Sequence, residues 1–403
     1  MNHIRQVEIL KEIFSHIDAN TTPMAEAPYW NPVDRYVSST HYNTELQTLF
    51  QGALPLLAGF SPDLPSPGSW FTYDMPDAPV FVTRGTDGKA RAFLNICRHR
   101  GSRLVGFEMD DSGNFIHSRG ITPKVLACAY HAWTYNLEGA LIRHPNDMGG
   151  FQKIEKEIAC GKFSLTELPC VETEGMILVR PHGTRPIQVA NEMHGMHARM
   201  GEFGFGKFHF YQEVFGDFTA NWKLLMDTFM EGYHIASLHH KTLAPRFRCY
   251  PVVYETFGPH SLFPLTRKSI DAQRQLPESE WSVLKHASTV FVVSPNAILN
   301  IPMDGHMELW DFRPLEVGKT RVRIRFYIPE KITTEEQQAL WQKSWKISTD
   351  VIFREDFIQQ QNIYANLASG RIAGVVFGSN EPMLTHFHQQ LGKHTGTTDA
   401  PLP

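Results

Sequence analysis

Two short motifs bring cysteine and histidine together at spacings that suit metal binding. Cys97 and His99 form C-x-H, and Cys128 and His131 form C-x-x-H. Each motif can present one thiolate and one imidazole on a single tight loop, and two such loops can converge on one centre. The set fits a [2Fe–2S] cluster in which two cysteines hold one iron and two histidines hold the other. It also fits zinc, although the C-x-H spacing is unusual for zinc and favours the cluster.

A second group of metal-ligand residues follows further along the chain. Glu231, His234 and His239 form E-x-x-H-x-x-x-x-H. Two imidazoles and one carboxylate suit a mononuclear Fe(II) that keeps open positions for dioxygen. Residues five apart on a regular helix point about 140° away from each other. His234 and His239 can therefore share a metal only where the helix bends, frays or ends, and His240 competes with His239 for the second position.

The third ligand is expected to be a carboxylate late in the chain. Thr333, followed three residues later by Glu336, predicts the capped start of a long helix that ends near Leu367. On that helix Asp356 lies on an apolar stripe, where a cation would be a good partner for a buried carboxylate. Glu355 lies on a neighbouring stripe, so periodicity alone leaves both carboxylates open.

The elements that must position these residues follow from the hydrophobic pattern. Residues 4–17 place apolar side chains at helical spacing, and a second helix is predicted over residues 219–240. Residues 59–68, rich in Pro and Gly, are predicted to form a linker or loop. From residue 70 to about residue 180, short β-like runs alternate with turns, as in a small all-β domain. Strands are predicted at 80–83, 92–94, 125–127, 176–179, 289–293, 297–301, 306–312 and 320–327.

Bulk composition excludes several classes of function. The 403 residues include 38 basic and 42 acidic ones, with a formal charge of −4. Neither nucleic acid nor an anionic membrane is therefore an expected partner. No secretory signal is visible, and no stretch approaches the roughly 18 apolar residues that a membrane helix needs. The odd number of cysteines, five, points to a reducing compartment, and a cytoplasmic location is expected.

Residues 95–101 (NICRHRG) and 130–135 (YHAWTY) resemble the Rieske motif of the ring-hydroxylating oxygenases. The NWK…EGYH…H sequence that starts at residue 221 resembles the iron-binding segment of the same family, and the Arg-Glu-Asp sequence before residue 357 resembles its late ligand segment. There are two departures from the family pattern. The 28 positions between the Rieske motifs are more than the family usually has, with the excess near a predicted surface turn at 110–113. Ala132 stands where the family commonly has Gly.

The resemblance implies an α+β fold. A β-rich Rieske [2Fe–2S] domain, residues 61–181, would be inserted in a mixed catalytic domain of helix-grip type, an antiparallel sheet covered by helices. Residues 1–60 and 182–403 would form that catalytic domain. The implied ligands are Cys97, His99, Cys128 and His131 for the cluster, and His234, His239 and Asp356 for the mononuclear iron. His239 is favoured over His240 because the family spaces its two histidines by four residues.

Two further carboxylates receive roles from the resemblance. Glu231 is expected to bridge His131 of one subunit and His234 of its neighbour, which would fix both tautomers and shorten the electron path. Such a bridge requires a head-to-tail ring, most simply a homotrimer. Glu at this position occurs in branches that act on quaternary amines, whereas many ring dioxygenases have Asp. Asp227 would hydrogen-bond near the iron or help to tune His234, with a plain helix-surface residue as the alternative.

The implied function is that of an oxygenase terminal component. It would use O2 to hydroxylate a small organic substrate, by mono- or dioxygenation, with an aromatic hydrocarbon as the first expectation. The alternatives are a monooxygenase acting on a quaternary amine or an N- or O-methyl group, and a Rieske-type electron carrier without oxygenase activity. Residues 201–206 hold only G-x-x-G-x-G and no dinucleotide fingerprint. Electrons are therefore expected from NAD(P)H through a separate reductase, with or without a ferredoxin, and a small β subunit is a further candidate partner.

Overall fold

The computed structural model describes residues 1–109 and 118–402, so the turn predicted at 110–113 lies outside the described residues. The chain divides into two compact units. We call Pro55–Gln188 the inserted unit, and Met1–Leu54 together with Val189–Pro403 the flanking unit. The inserted unit is dominated by strands and the flanking unit mixes helices with a sheet. The domain boundaries placed at residues 61 and 181 stay predictions.

Among its described residues, the inserted unit contains three small antiparallel sheets, a short α-helix at Glu155–Ala159, and 3-10 turns at Ser61–Asp63, Asp147–Gly149 and Gln152–Ile154. All four strands predicted within it are present, and Gly59 and Phe60, predicted to begin a linker, instead end a strand. The first sheet has the order Glu167–Leu168, Ala90–Leu94, Val80–Arg84, Ser69–Thr72 and Arg119–Ile121; the second has Cys170–Thr173, Met176–Val179 and Leu56–Phe60; the third has Leu126–Ala127, Thr134–Tyr135 and Leu141–Arg143.

The flanking unit is organised around one antiparallel sheet of seven strands. Its four predicted strands are confirmed. The edge strand His209–Phe218 was missed because most of its residues are half-buried, so no alternation of buried and exposed positions marks it. A separate pair joins Tyr29–Pro32 to Gly374–Phe377. The order in the large sheet is His209–Phe218, Lys319–Ile328, Met307–Glu316, Ala297–Ile301, Ala287–Val293, His260–Thr266 and Glu255–Phe257.

Helices of the flanking unit cover this sheet. Helix Glu335–Val351 packs Trp341 and Trp345 against Phe326 of the sheet. None of the described helices is long and apolar enough to cross a bilayer. The α-helices of the flanking unit are His3–Ala19, Asp34–Val37, Ser39–Glu45, Val189–Glu192, Met196–Gly201, Trp222–Asp227, Glu335–Val351, Phe357–Leu367 and Pro382–Thr395, with π-helical segments at Leu46–Ala53 and Ile352–Asp356.

The start of the late helix was predicted one residue too early. Thr334, not Thr333, is the N-cap, and Gln337, not Glu336, completes the capping box. Thr334 Oγ1 accepts a hydrogen bond from Gln337 N at 3.2 Å, and Gln337 Oε1 accepts one from Thr334 N at 3.2 Å. A glutamine reaches back as well as a glutamate does, so both registers satisfy the pattern. The predicted end at Leu367 is confirmed.

Candidate metal centres

The first pair of predicted cluster ligands lies on a loop that follows the strand Ala90–Leu94. Buried Asn95 ties this loop to a later part of the chain. Its Oδ1 accepts a hydrogen bond from Leu104 N at 2.9 Å, and its Nδ2 donates to Val105 O at 2.8 Å. Because both ends of the amide are used, the backbone entering the loop at Cys97 is held in place.

The second pair lies on a loop between the strands Leu126–Ala127 and Thr134–Tyr135. Cys128 N donates to Trp133 O at 2.8 Å, and Ala132 N donates to Cys128 O at 2.9 Å. Closing the loop this tightly places Ala132 at φ 54°, in the left-handed region that glycine adopts without strain. This conformation gives a physical reason for a glycine at the position, and the alanine here adopts the same conformation.

Side chains from the two loops meet. Cys97 and Cys128 are buried free thiols, and the rings of His99 and His131 lie 4.7 Å apart between centroids. Burial raises the pKa of the Cys97 thiol, and Tyr135 Oη lies 3.4 Å from its Sγ. The Nδ1 atom of His131 is buried, with no hydrogen-bond partner among the described residues. Two buried thiols beside an unpartnered imidazole nitrogen form a donor set that fits a [2Fe–2S] cluster with mixed ligands.

The segment that carries the second group is not one continuous helix. The helix predicted over residues 219–240 is wrong in its extent, since it is divided into Trp222–Asp227 and a 3-10 turn at Tyr233–Ala236. Gly232 lies directly before the turn. A Cβ at Gly232 would lie 2.4 Å from the backbone oxygen of Cys249, so the close approach of these two segments requires glycine.

The break brings the three predicted iron ligands together. His234 lies in the 3-10 turn and His239 follows it, and their rings are 5.1 Å apart between centroids. Asp356 Oδ1 lies 3.1 Å from His239 Nε2 and 3.5 Å from His234 Nε2, and one ligand atom from each residue lies within 4.8 Å of the others. The other carboxylate oxygen of Asp356 is buried, and no described residue forms a hydrogen bond with it. This donor set and its unpartnered oxygen fit Fe(II).

Asp356 is the last residue of a π-helical segment, which positions its side chain at the site. Helix Glu335–Val351 continues as the π-helical segment Ile352–Asp356 before helix Phe357–Leu367 begins. The wider turn changes side-chain directions relative to a regular α-helix, and such segments are frequent at functional sites. Thr228 Oγ1 donates a hydrogen bond to Asp356 Oδ1 at 3.0 Å, which orients the carboxylate.

Glu355, the alternative third ligand, faces the other nitrogen of His239. Its Oε2 lies 2.7 Å from His239 Nδ1 and accepts a hydrogen bond from Thr242 Oγ1 at 2.9 Å. Burial opposes protonation of His239, but hydrogen bonds to Asp356 and Glu355 outweigh it and raise its pKa. The structure thus separates the two carboxylates that periodicity left open. Asp356 lies with both histidines, and Glu355 supports one of them.

Glu231 makes the corresponding contact with His234. Its carboxylate is hydrogen-bonded to His234 Nδ1, and its Oε2 accepts from His234 N at 3.1 Å. The Nε2 atom of His234 is therefore the ring nitrogen that faces Asp356. His240, the competing histidine, is exposed, with its Nδ1 3.0 Å from Ser237 O.

Asp227 belongs to a different network. It is buried, its Oδ2 accepts from Tyr36 Oη at 2.7 Å, and its Oδ1 lies 2.9 Å from His388 Nε2. The alternative of an exposed helix-surface residue is therefore wrong. In the part of the chain that the structure describes, no hydrogen bond links Asp227 to His234. Sequence reasoning missed Tyr36 and His388 because both reach Asp227 from elements far away in the chain.

A cavity of about 760 Å³ lies beside the three predicted iron ligands. This volume is in the range of small-molecule sites, and both His234 and His239 line it together with Asp356. Polar and charged groups also line the cavity. The larger apolar side chains in its wall include Phe229, Ile235, Leu243, Phe247, Phe263 and Trp310.

Two stretches of the chain match known protein families. Residues 55–155 match the Rieske [2Fe-2S] domain, and residues 192–397 match the ring hydroxylating alpha subunit (catalytic domain). The chain belongs to the ring hydroxylating alpha subunit family. As a Rieske oxygenase alpha subunit it combines a [2Fe–2S] domain with a catalytic domain that binds a mononuclear iron, which confirms both predicted cofactors.

Curated relatives of this alpha subunit include enzymes named for two chemically different substrates. The glycine betaine monooxygenase oxygenase subunit of Pseudomonas aeruginosa is 28% identical over 222 residues, which are 53% of this chain and 45% of that protein. The biphenyl 2,3-dioxygenase subunit alpha of Rhodococcus jostii is 35% identical over 122 residues, 30% of this chain and 24% of that protein. The chain thus matches about half the length, or less, of these relatives.

Solved Rieske oxygenase structures share the fold over nearly the whole chain. A quaternary ammonium Rieske monooxygenase in complex with L-carnitine superposes with a TM-score of 0.74 at 19% identity, covering 92% of this chain and 96% of that one. Naphthalene 1,2-dioxygenase from Rhodococcus sp. bound to indole gives 0.71 at 15% identity, covering 96% and 98%. At these identities the likeness concerns the fold alone, and the predicted fold class is confirmed.

Proposed function

We propose that this chain is the terminal component of a Rieske oxygenase, which uses O2 and externally supplied electrons to hydroxylate a small organic substrate. The observation that supports this most directly is the convergence of His234, His239 and Asp356 on the wall of a cavity of about 760 Å³. A substrate in the cavity would lie next to all three side chains. A Rieske electron carrier, the alternative of another class, needs no such cavity.

The residues that would hold the metal groups are those assigned from the motifs. When bound, the cluster supplies electrons one at a time and the ferrous iron activates O2 for transfer to the substrate. The protein contributes the ligands and their orientation. Cys97, His99, Cys128 and His131 would hold the cluster, and His234, His239 and Asp356 would hold the iron.

Two carboxylates orient the histidine ligands. Glu355 faces Nδ1 of His239, and Glu231 is hydrogen-bonded to Nδ1 of His234. A carboxylate at Nδ1 holds the proton there and leaves the lone pair on Nε2, the atom that lies nearest Asp356 in both rings. The tautomers needed for metal binding are therefore favoured before any metal enters.

Glu231 has a second role in this proposal. We infer that its carboxylate also accepts a hydrogen bond from His131 of a neighbouring subunit, so that electrons pass between chains. The arrangement requires a head-to-tail ring, most simply a homotrimer. The carboxylate of Glu231 is only partly exposed, at 12%, which leaves a limited surface for one such contact. Asp227, named with Glu231 as a candidate catalytic residue, acts in this proposal through Tyr36 and His388 as a positioning residue.

The substrate is proposed to be aromatic, with a quaternary amine or methylated compound as the alternative. The aromatic side chains Phe229 and Trp310, whose rings are 5.4 Å apart, give the cavity a wall suited to a planar apolar group. The names of the relatives support both classes, since one acts on glycine betaine and another on biphenyl. The match to the glycine betaine enzyme is longer, 53% of this chain against 30%, whereas the match to the biphenyl enzyme has the higher identity, 35% against 28%.

We further propose partners, domain bounds and a location for this chain. Electrons would come from NAD(P)H through a separate reductase, with or without a ferredoxin, and a small β subunit could accompany the trimer. The Rieske domain would comprise residues 61–181. We place the protein in the cytoplasm.

Metal analysis tests the proposal. The purified chain is expected to hold about three irons and two inorganic sulfides, from one [2Fe–2S] cluster and one mononuclear iron. Two irons and no third in any preparation would support the electron carrier instead. One zinc without sulfide would contradict both. Oxygen uptake in the presence of reductase, NAD(P)H and aromatic compounds or quaternary amines then separates the two substrate classes.

A further inference from the structure

The acidic and basic side chains in the wall of the cavity differ in whether they have hydrogen-bond or ion-pair partners. Its carboxylates all have partners among the described residues, whereas one half-buried arginine has a buried Nε without a hydrogen-bond partner and no ion-pair partner there. Glu231 and Glu355 contact the histidine ligands, Asp350 lies 3.2 Å from Arg354 Nε, Asp304 and Glu308 share His306, and Asp356 belongs to the metal site.

Both carboxylate oxygens of Glu308 are occupied by hydrogen-bond donors. Its Oε1 lies 2.7 Å from His306 Nε2 and accepts a hydrogen bond from Ser348 Oγ at 2.5 Å. Its Oε2 accepts from Trp310 Nε1 at 3.1 Å and from Asn300 Nδ2 at 3.2 Å. With two donors on each oxygen, this carboxylate has little capacity left for a cation in the cavity.

Arg267 is the cationic group without such a partner. It directly follows the strand His260–Thr266 and lines the same cavity as the three iron ligands. Its guanidinium lies 5.2 Å from the ring centroid of Phe247, and its Nε is buried with no hydrogen-bond partner. In the described chain no carboxylate lies within ion-pair distance of it. The lysines that line the cavity are exposed to water, but a buried guanidinium nitrogen has no such substitute.

A second arginine strengthens the positive potential at this wall. Arg246 also lines the cavity, and burial together with Arg246 lowers the pKa of Arg267, with Asp304 opposing the effect. Two neighbouring guanidinium groups repel each other unless an anion lies between them or beside them. Arginine presents its donors in a planar fork that matches a carboxylate.

We propose that Arg267 is a specificity-determining residue that binds the carboxylate of an organic acid substrate, while the apolar part of that substrate extends along the cavity toward His234, His239 and Asp356. Arg246 adds positive charge at the same wall. This inference rests on the proposed oxygenase function and makes its substrate class more specific. It favours a carboxylated compound over an uncharged hydrocarbon or a simple cation.

Binding to the metal-loaded enzyme tests the inference without turnover. Isothermal titration calorimetry would compare acetate, benzoate and 2-naphthoate with the corresponding neutral amides, which match them in shape. At least one carboxylate is expected to bind more tightly than its amide. Arg267→Gln should weaken binding of that carboxylate about 10- to 100-fold and leave the amide unchanged, because a charge-assisted hydrogen bond is lost. Arg267→Lys should fall between the two, since an ammonium keeps the charge without the fork.

Arg371→Gln is the matched control. Arg371 is exposed, does not line the cavity, and its side chain has no partner among the described residues. This variant removes the same charge and should bind the carboxylates like the unaltered enzyme. Equal loss of carboxylate and amide binding in Arg267→Gln would overturn the inference, because it would show a structural role. Failure of all three carboxylates to bind better than their amides would overturn it as well.

The outcomes separate this inference from the function on which it rests. An enzyme that binds carboxylates through Arg267 but consumes no O2 with its reductase would contradict the oxygenase proposal alone. An enzyme that consumes O2 with neutral aromatic compounds and ignores carboxylates would contradict only the role of Arg267.

Discussion

Glu355 and His239 form a contact of 2.7 Å between Oε2 and Nδ1, on the side of the imidazole opposite to Asp356. Two carboxylates that are adjacent in the sequence therefore contact the two nitrogens of one imidazole ring. In the proposed site each carboxylate would have a separate role that can be measured: Asp356 as a ligand, and Glu355 as the group that fixes the tautomer of His239.

Substitution of Asp356 should remove the mononuclear iron and spare the cluster. Asp356→Ala is expected to reduce iron from about three to about two per chain with sulfide unchanged, because it deletes one of three ligands. Glu355→Gln should retain the third iron but bind it about 10- to 100-fold more weakly. Iron and sulfide assays after dialysis against a graded chelator measure both effects. Glu336→Gln, on the exposed start of the same helix, serves as control, and loss of iron in Glu355→Gln but not in Asp356→Ala would reverse the two roles.

Substitution of Glu231 should slow electron transfer between the two metal groups without emptying either. In Glu231→Gln, chemical reduction of the cluster is expected to be normal. Reoxidation of the reduced cluster by O2 in the presence of substrate should slow about 10- to 100-fold, because the amide cannot orient two imidazoles. Stopped-flow absorbance of the cluster follows this step directly. Exposed Glu330 provides the matched control, Glu330→Gln, and an unchanged reoxidation rate in Glu231→Gln would contradict the relay.

Local spacing was enough to predict ligand pairs that lie on one loop or turn. Cys97 and His99 are two residues apart, so their proximity needs no knowledge of the fold. The choice between Glu355 and Asp356 was different, because the π-helical segment that contains them does not follow the α-helical period used to predict buried faces. The family resemblance implied Asp356, and the structure shows this carboxylate close to both histidines.

Features that depend on distant partners could not be predicted from the sequence. The role of Asp227 depends on Tyr36 and His388, which lie far from it along the chain. The importance of Arg267 depends on the lack of an ion-pair partner among the described residues, and no local sequence pattern indicates that. The left-handed conformation of Ala132 likewise became visible only in the structure.

Glycine at position 132 should stabilise the inserted unit. The left-handed φ of Ala132 costs roughly 1–2 kcal/mol for a residue with a Cβ, and the extra backbone entropy of glycine offsets part of the gain. Ala132→Gly is therefore expected to raise the free energy of unfolding by about 0.5–1 kcal/mol. Urea unfolding followed by the absorbance of the cluster measures this. Ala90→Gly, in the strand Ala90–Leu94, should change stability by a similar amount in the opposite direction, and destabilisation by both variants would show that Ala132 is not strained.

The stability of the flanking unit should decrease between pH 6.5 and pH 9 through His306. Burial disfavours the charged imidazole, but contacts with Asp304 and Glu308 outweigh it and raise the pKa of His306 from 6.5 to about 9. A group with a raised folded-state pKa stabilises fully below its unfolded value, and the stabilisation is lost as pH rises through the folded value. The loss is of the order of 3 kcal/mol. Urea unfolding of the unaltered chain and of His306→Gln, measured from pH 6 to pH 9.5, should show a fall that is steeper in the unaltered chain. Parallel curves would mean that His306 is neutral in the folded protein.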